Sequence, residues 1–227
     1  MDPGLYIAAS GMLAEQVRQS QLANNLANAS TPGYEPQQAV QSSFGALLLS
    51  NTATGQTIGA INTGVKISGT VIDANPTPLQ STGQPLDFGI AGAGYFAVRT
   101  TAGVRYTRDG QFQSNSAGQL VDQNGNAVLS QTGQPIPVDA QGRVSPTALG
   151  LFNVPNAQPQ GNTLLAGTAA GAATGTVKQG QLNESGVDPV LTMTDMISSL
   201  RAYQAGQTAI QTIDQTMQEN ASSVPAL

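Results

Sequence analysis

The hydrophobic pattern changes twice along this chain of 227 residues, and this change restricts its fold more than any other feature. Both ends carry apolar residues three and four positions apart, as amphipathic helices do. From residue 64 to about residue 180, apolar and polar residues alternate between Asp-Gly, Asn-Gly and Ala-Gly pairs, which is typical of antiparallel strands. The sequence therefore predicts an α+β protein in which N- and C-terminal helices bracket a mostly antiparallel β domain.

The first helix is predicted to begin at Asp2-Pro3, because proline suits the first helical position. Asparagines crowd its last turns and are poor helix formers, so these turns need support from other helices. Pro32 and Gly33 form the predicted turn that ends the helix, with Gly33 expected at a positive φ angle. The candidate contact residues of this helix are Leu5, Met12, Leu22, Asn24, Asn25, Leu26 and Asn28.

The last helix is predicted to begin at Pro189 and to carry an apolar residue at every seventh position. Such a row is typical of a coiled coil, although Gln207 and Asp214 break the neighbouring row. The spacing fits a single helix packed on a globular core equally well. In the coiled-coil interpretation the row is exposed in a single chain and buried between copies. The candidate contact residues are Met193, Met196, Leu200, Tyr203, Ile210 and Met217.

Four segments follow from these patterns: an N-terminal assembly helix (1–35), an extended connector (36–63), a β-rich domain (64–180) and a C-terminal assembly helix (181–227). The connector is uncharged, and little structure is expected in it beyond a short helical turn at 44–49. Low-complexity residues 161–176 are expected to form a surface loop. The two terminal helices are predicted to pair as a coiled-coil-like assembly domain, and other copies would have to join them to bury much apolar surface.

The composition excludes several kinds of site. The chain has no histidine and no cysteine, which rules out Ser–His–Asp and Cys–His catalysis, imidazole zinc sites and disulfides. A net charge of −5 disfavours nucleic acid and anionic membranes as partners. No apolar run is long enough to span a membrane, and no cleavable signal peptide is recognisable, so membrane insertion is not expected. We predict no catalytic residue, no metal and no cofactor.

Weaker motifs leave an alternative open, namely a secreted β-domain protein that binds or acts on carbohydrate. Residues 92–97 fit the loose pattern G-x-G-x-x-A, but a strand-like run follows where a dinucleotide site needs a helix. Residues 122–126 begin like a calcium loop that lacks its terminal glutamate. Arg99, Arg105 and Arg108 are more typical of a solvated face than of a glycan site. A catalytic carboxylate pair remains open among Asp73, Asp87, Asp109, Asp122 and Asp139.

Three parts of the sequence closely resemble the signatures of bacterial flagellar rod and hook proteins. The first is GLYIAASGMLAEQ followed by LANNLANASTPGY, and the second is GQPLDFGIAGAGYFAV with YTRDGQF and GQLVDQNGNAVL. The third is VKQGQLNESGVDPVLTMTDMISSLRAYQA. They occur in the family's order and cover nearly the whole chain. The resemblance implies a structural subunit of the basal-body rod, proximal or distal, that self-assembles into a hollow helical tube, transmits motor torque and is required for motility.

The resemblance also implies partners and a location. Copies of the chain would assemble with one another and with other rod and hook subunits, outside the cytoplasmic membrane. The flagellar type III export apparatus would deliver the unfolded chain without cleaving a signal peptide. Two positions depart from the family pattern, which usually has Glu where this chain has Asn183 and Asn where it has Gly186. These departures put the turn before the last helix in question.

Overall fold

The computed structural model describes residues 3–43, 46–50, 57–62, 64–161 and 163–223. Two terminal helices bracket an antiparallel β region, which confirms the predicted α+β class. The chain divides into two compact units. Unit 1 contains Met1–Asn24, Gln38–Val71 and Val190–Leu227, and unit 2 contains Asn25–Gln37 and Ile72–Pro189. Within the described residues, we find no helix that is both long enough and apolar enough to cross a membrane.

Unit 1 is built from most of two helices and two strand pairs. Helix α1 spans Pro3–Ala27 and helix α2 spans Pro189–Ser223. Strand β1 (Gln37–Ser43) pairs with β4 (Val65–Ile72), and β2 (Ala46–Ser50) pairs antiparallel with β3 (Thr57–Asn62).

Strands occupy much of the segment that the sequence predicts as an extended connector. The helical turn expected at 44–49 is wrong for Ala46–Leu49, because these residues form ladder pairs with Gly59–Asn62 of the facing strand. Positions 44 and 45 lie outside the described residues. Three consecutive leucines in an uncharged run suit a strand as well as a helical turn, and the facing strand decides between them.

Unit 2 contains twelve short strands among its described residues, and every pairing given for them is antiparallel. The largest sheet has the order β13-β14-β8-β7-β11-β10-β9, with β12 also paired to β7, and two further pairs are β15–β6 and β16–β5. The strands are β5 (Leu79–Ser81), β6 (Phe88–Ala91), β7 (Tyr95–Thr100), β8 (Gly103–Thr107), β9 (Gln113–Ser114), β10 (Leu120–Val121), β11 (Ala127–Leu129), β12 (Leu151–Phe152), β13 (Gln158–Pro159), β14 (Leu165–Ala166), β15 (Thr176–Gln179) and β16 (Gln181–Asn183).

Strand β7 separates two apolar clusters in unit 2. Phe96 and Val98 belong to one cluster, and Tyr95 and Ala97 belong to the other, as the alternation of side chains along a strand requires. Leu165 of β14 is buried in the second cluster. The surface loop expected over 161–176 is therefore wrong at β14, because two leucines inside a Gly- and Ala-rich run are enough to add a short strand.

Candidate functional site: an anchored turn and exposed helix faces

The residues after α1 form a turn that is fixed to the rest of unit 2, and we call residues 30–37 the anchored turn. Gly33 has a φ of +64°, and its N–H donates to the carbonyl of Asn183 at 2.9 Å. A Cβ atom at this position would collide with the Arg108 carbonyl and the Asp109 nitrogen. Glycine is therefore required here both for the backbone angle and for the close approach of two backbone segments.

A buried charge cluster holds the same turn. Glu35 is buried, and its carboxylate lies 3.3 Å from Nε of Arg108 and accepts a hydrogen bond from the Tyr95 hydroxyl at 3.1 Å. The Arg108 guanidinium lies 5.2 Å from the centre of the Tyr95 ring. It also donates to the backbone carbonyls of Asn75, Gly92 and Gly94. In this Glu35–Arg108–Tyr95 cluster both buried charged groups have ion-pair and hydrogen-bond partners, which charges need when they are taken out of water.

The three hairpin arginines are predicted to form a solvated face, and the structure corrects this for Arg108, which is only 3% exposed. Arg99 faces Val104 and Arg105 faces Val98 across the β7–β8 pair. Arg99 and Arg105 therefore point to opposite faces of the sheet, so the arginines do not form one basic surface.

One sequence signal could have drawn attention to Glu35. It is the single charged residue between Arg18 and Lys66, and an isolated charge in such a polar, uncharged stretch has a reason to be there. No comparable signal marks its partner, because Arg108 lies far along the chain and resembles its hairpin neighbours.

Burial changes the ionisation of two carboxyl groups in unit 2. It raises the pKa of Glu35 to about 7, against the opposing effects of Arg108 and the Tyr95 hydrogen bond, while Asp73 adds to the rise. Burial also raises the pKa of Asp109 to about 6, against the hydrogen bond from the Gln111 N–H. Both carboxyl groups therefore bind protons more tightly in the folded chain than in an unfolded one.

We expect unit 2 to lose stability as pH rises from about 4.5 to about 7. A raised folded-state pKa means that the stabilising contribution is complete below the unfolded pKa and is lost as pH rises through the folded pKa. Asp109 acts at the lower end of this range and Glu35 at the upper end. Glu35→Gln should flatten the melting temperature above pH 6 and reduce its slope between about pH 4.5 and 6, where Asp109 still contributes. Calorimetry at several pH values measures both, and an unchanged upper slope would contradict the assignment.

Asn183 explains one departure from the family pattern. Its buried side chain accepts a hydrogen bond from the Ile90 N–H at 2.8 Å and donates one to the Ile90 carbonyl at 3.0 Å. The Asn183 side chain thus pairs with Ile90 of β6 through one acceptor and one donor, as a backbone peptide group would. An ionised glutamate in this place would have no proton to donate. Gly186 explains the other departure, because a Cβ atom there would lie 2.8 Å from Cδ of Pro36.

Replacing Asn183 with glutamate is expected to destabilise unit 2 by about 3 kcal/mol, because the Ile90 carbonyl loses its donor and a carboxyl group is buried. Gln181→Glu is the matched control, since Gln181 lies on the same strand and is only half-buried. Urea denaturation of the two variants measures the difference. Equal midpoints for both would show that the paired Asn183 amide contributes nothing specific.

In unit 1 the two helices contact each other through small residues of α2. The Ser199 hydroxyl donates to the Glu15 carboxylate at 2.6 Å. A Cβ atom at Gly206 would lie 2.7 Å from Cγ of Met12. Glu15 contacts Ser199, whereas Met12, which is earlier in α1, contacts Gly206, which is later in α2. The two helices are therefore antiparallel. This geometry is consistent with paired terminal helices, and the coiled-coil part of the expectation stays a prediction.

The predicted heptad row lies on this same face of α2. Met196, Tyr203 and Ile210 alternate at three- and four-residue steps with Ser199 and Gly206 and are half-buried. The expectation that the row is exposed in a single chain is therefore wrong for these three residues. The physical reason is that Ser199 and Gly206 are small, which lets α1 of the same chain approach this face. Met217, the last of the row, is 37% exposed.

The candidate contact residues of α1 divide by burial. Leu5, Met12, Leu22 and Leu26 are half-buried, Asn24 is exposed, and Asn25 and Asn28 are buried.

The Asn25 amide is used within unit 2. It accepts hydrogen bonds from the Tyr34 hydroxyl at 2.9 Å and the Gln37 N–H at 3.0 Å, and it donates to the Gln37 carbonyl at 2.9 Å. The Asn28 carbonyl accepts a hydrogen bond from the Ser185 hydroxyl at 3.0 Å. Asn25 and Asn28 therefore help to fix the chain around the anchored turn.

Other apolar side chains of the helices face solvent. Three of them form the α1 row, which consists of Tyr6, Leu13 and Val17, and Leu13 is 64% exposed. Four form the α2 stripe, which consists of Val190, Met193, Ile197 and Leu200, and Ile197 is 54% exposed. The stripe lies about a third of a turn from the α2 face that contacts α1. The structure thus places Met193 and Leu200 with exposed neighbours that the sequence analysis did not single out.

The weaker motifs have local explanations. The carboxylate of Asp122 accepts hydrogen bonds from the N–H groups of Asn124 and Asn126, which makes 122–126 a turn. Asp109 and Asp139 each accept a bond from the N–H two residues later. In the part of the chain that the structure describes, no group of three or more acidic side chains is arranged to hold a metal ion.

Comparison with known proteins gives consistent matches along the chain. The family described as "Flagella basal body rod protein" matches residues 5–34. "Flagellar hook protein FlgE/F/G D1 domain" matches residues 89–154, and "Flagellar basal body rod FlgEFG protein C-terminal" matches residues 178–224. The three matches follow the order of the three sequence signatures, and they include residues 30–34 of the anchored turn, most of both apolar clusters and α2.

Whole-length relatives agree with these matches. The chain is 31% identical to the flagellar hook-basal body complex protein FlhO of Bacillus subtilis, over 97% of this chain and 98% of the relative. It is 32% identical to the flagellar basal-body rod protein FlgG of the same organism, over 95% and 96%. It is 30% identical to the flagellar basal-body rod protein FlgF of Mesorhizobium japonicum, over 90% of each chain. The chain belongs to the flagellar basal-body rod and hook protein family.

Proposed function

We propose that this protein is a structural subunit of the flagellar basal-body rod that self-assembles through unit 1. The proposal is supported by the family and by one observation in particular: the seven large apolar side chains of the α1 row and the α2 stripe are exposed to solvent. Burying a large apolar side chain contributes roughly 1.5–3 kcal/mol. Exposed apolar surface of this kind marks an interaction site, and helices repeated in every copy offer the same surface many times.

The finer parts of the proposal follow from family membership. Copies of the chain would form a hollow helical tube with other rod and hook subunits, and the tube would transmit motor torque and be required for motility. The chain would reach its place outside the cytoplasmic membrane through the flagellar export apparatus, without cleavage of a signal peptide. Its role would be structural and not enzymatic. The candidate contact residues exposed on the helices, including Asn24, Met193 and Leu200, would take part in this assembly.

No specific observation supports the carbohydrate alternative. The hairpin arginines do not share one face, and four of the five candidate aspartates accept a hydrogen bond from the N–H two residues later. Glu35 is buried against Arg108 and Tyr95, which leaves it placed to hold the turn and not to meet a sugar. We therefore propose assembly alone as the function.

Ile197→Asp is expected to abolish assembly while leaving the chain folded. Ile197 is exposed, so the substitution costs little in a single chain, where exposed positions tolerate changes within about 0.5 kcal/mol. In an assembled contact it would bury an unpaired charge. The matched control is Gln204→Asp, which lies on the same line of α2 beyond its apolar part. Sedimentation and electron microscopy of purified protein, together with swimming of a complemented deletion strain, measure the effect.

Two results would count against the proposal. Normal swimming with both variants would mean that the exposed apolar part of α2 has no role in assembly. Loss of swimming that accompanies a lower melting temperature of Ile197→Asp would mean that the residue supports the single chain instead. Basal bodies from which this chain is missing would contradict its assignment to the rod altogether.

A further inference from the structure

Helix α1 and strand β4 enclose an apolar groove in unit 1 with a volume of about 290 Å³. The three residues of the α1 row form one wall, and Val65 and Ile67 of β4 form the other. Two hydrogen bonds fix the wall positions: the Val65 N–H donates to Oγ of Ser10 at 3.2 Å, and the Gln21 amide donates to the Thr70 hydroxyl at 2.8 Å. One charged residue, Lys66, lies among the groove residues.

We propose that this α1–β4 groove binds the α2 stripe of a second copy of the chain. The inference rests on the proposed function, because it names the partner surfaces through which copies of unit 1 would join. Both surfaces are apolar and exposed in one chain, and the stripe offers aliphatic and thioether side chains of the size that an apolar groove accommodates.

The two surfaces match in length and in polarity. The α1 row spans eleven residue steps and the α2 stripe spans ten, which correspond to about 16 Å and 15 Å of helix. Beyond Val17, the exposed line of α1 continues with Ser20 and Asn24. Beyond Leu200, the exposed line of α2 continues with Gln204, Gln207 and Gln211. Parallel pairing therefore places apolar side chains against apolar ones and uncharged polar side chains against uncharged polar ones.

The size of the contact explains why its partner is one copy in a series and not one member of a stable pair. Seven large side chains, each about half exposed, offer on the order of 700 Å² of apolar surface. A stable isolated complex usually buries about 1,200–2,000 Å² in total. A single contact therefore falls short, whereas a copy that uses its groove and its stripe at once makes two such contacts.

The contact is also heterologous, because a groove meets a stripe and not another groove. Each copy that joins leaves one groove or one stripe open for the next copy. Interfaces of this type produce open helical arrays unless the rotation closes into a ring. The groove–stripe contact would therefore let copies add one after another along an axis.

The absence of cysteine from the sequence allows a direct test by disulfide crosslinking. Two variants, Leu13→Cys and Ile197→Cys, are produced together in a deletion strain, and isolated basal bodies are mildly oxidised and run on a non-reducing gel. Each chain carries one cysteine, so a disulfide-linked dimer must join two copies. Both positions are exposed, so neither change disturbs the single chain. The control pair is Gln16→Cys with Ser198→Cys, which are exposed on neighbouring faces of the same helices.

We expect dimers from the Leu13–Ile197 pair at several times the yield of the control pair and of either variant produced alone. Basal bodies that contain the chain but give no dimers, or give equal yields from both pairs, overturn the groove–stripe contact and leave the proposed function intact. Basal bodies without the chain, in the presence of normal swimming, overturn the proposed function itself. The two failures are therefore distinguishable.

Discussion

Gly33→Ala is expected to destabilise unit 2 by about 3 kcal/mol or more and to abolish motility. A residue with a Cβ atom in the left-handed region costs roughly 1–2 kcal/mol by itself. Here the added methyl group would also collide with the backbone at Arg108 and Asp109. Since two backbone segments are in contact, relief requires the anchored turn to move away. That movement would break the hydrogen bond from Gly33 to Asn183 and expose Tyr34, which is fully buried.

Gly118→Ala is the matched control, because it separates backbone strain from the collision. Gly118 has a φ of +69°, but no atom lies within 4 Å of a Cβ built on it. It should therefore show the strain alone, with a loss of about 1–2 kcal/mol and normal swimming. Calorimetry and a motility assay of the two variants provide the comparison. Equal losses would show that the anchored turn moves without cost.

Arg108→Ala is expected to cost about 3–5 kcal/mol, the range measured when one partner of a buried ion pair is removed. Three backbone carbonyls would lose a donor, and the Glu35 carboxylate would remain buried without its counterion. Without Arg108 the pKa of Glu35 would rise further, so the loss of stability with rising pH should extend to higher pH. Thermal melts between pH 5 and 9 measure both effects.

Arg99→Ala provides the control within the same hairpin. Arg99 is exposed, and its guanidinium donates to the Gly133 carbonyl at 2.8 Å in contact with water. Surface contacts of this kind contribute little, so a change of no more than about 0.5 kcal/mol is expected. A loss for Arg99→Ala that equals the loss for Arg108→Ala would mean that burial and pairing do not set the difference.

The fold class could be predicted from the sequence because it depends on local periodicity. Apolar residues of α1 recur every three or four positions, and those of β7 recur every two positions. The secondary structure of each segment can therefore be predicted from that segment alone. The charge cluster could not be predicted in this way. Glu35 and Arg108 are far apart in the sequence, and their pairing depends on where the anchored turn lies within unit 2.

The assembly helices show a second limit of sequence patterns. Met196, Tyr203 and Ile210 stand out as a row because they are large, whereas their true neighbours on the same face, Ser199 and Gly206, are small. A hydrophobicity pattern gives weight to size, but close helix packing depends equally on small residues. The sequence singles out only Met193 and Leu200 of the α2 stripe for a related reason, since its apolar line ends at Leu200 and continues as glutamine.

Three hydrogen bonds join residues 28–34 of unit 2 to residues 183–186, and they have a mechanical consequence. The Ser185 hydroxyl bonds the Asn28 carbonyl, the Gly33 N–H bonds the Asn183 carbonyl, and the Gly186 N–H bonds the Tyr34 carbonyl. Tension applied to unit 2 through residues 28 and 186 would load these three hydrogen bonds first. The apolar clusters between them would bear no tension until the bonds rupture, so the β strands are shielded from a pull that enters and leaves through the chain ends.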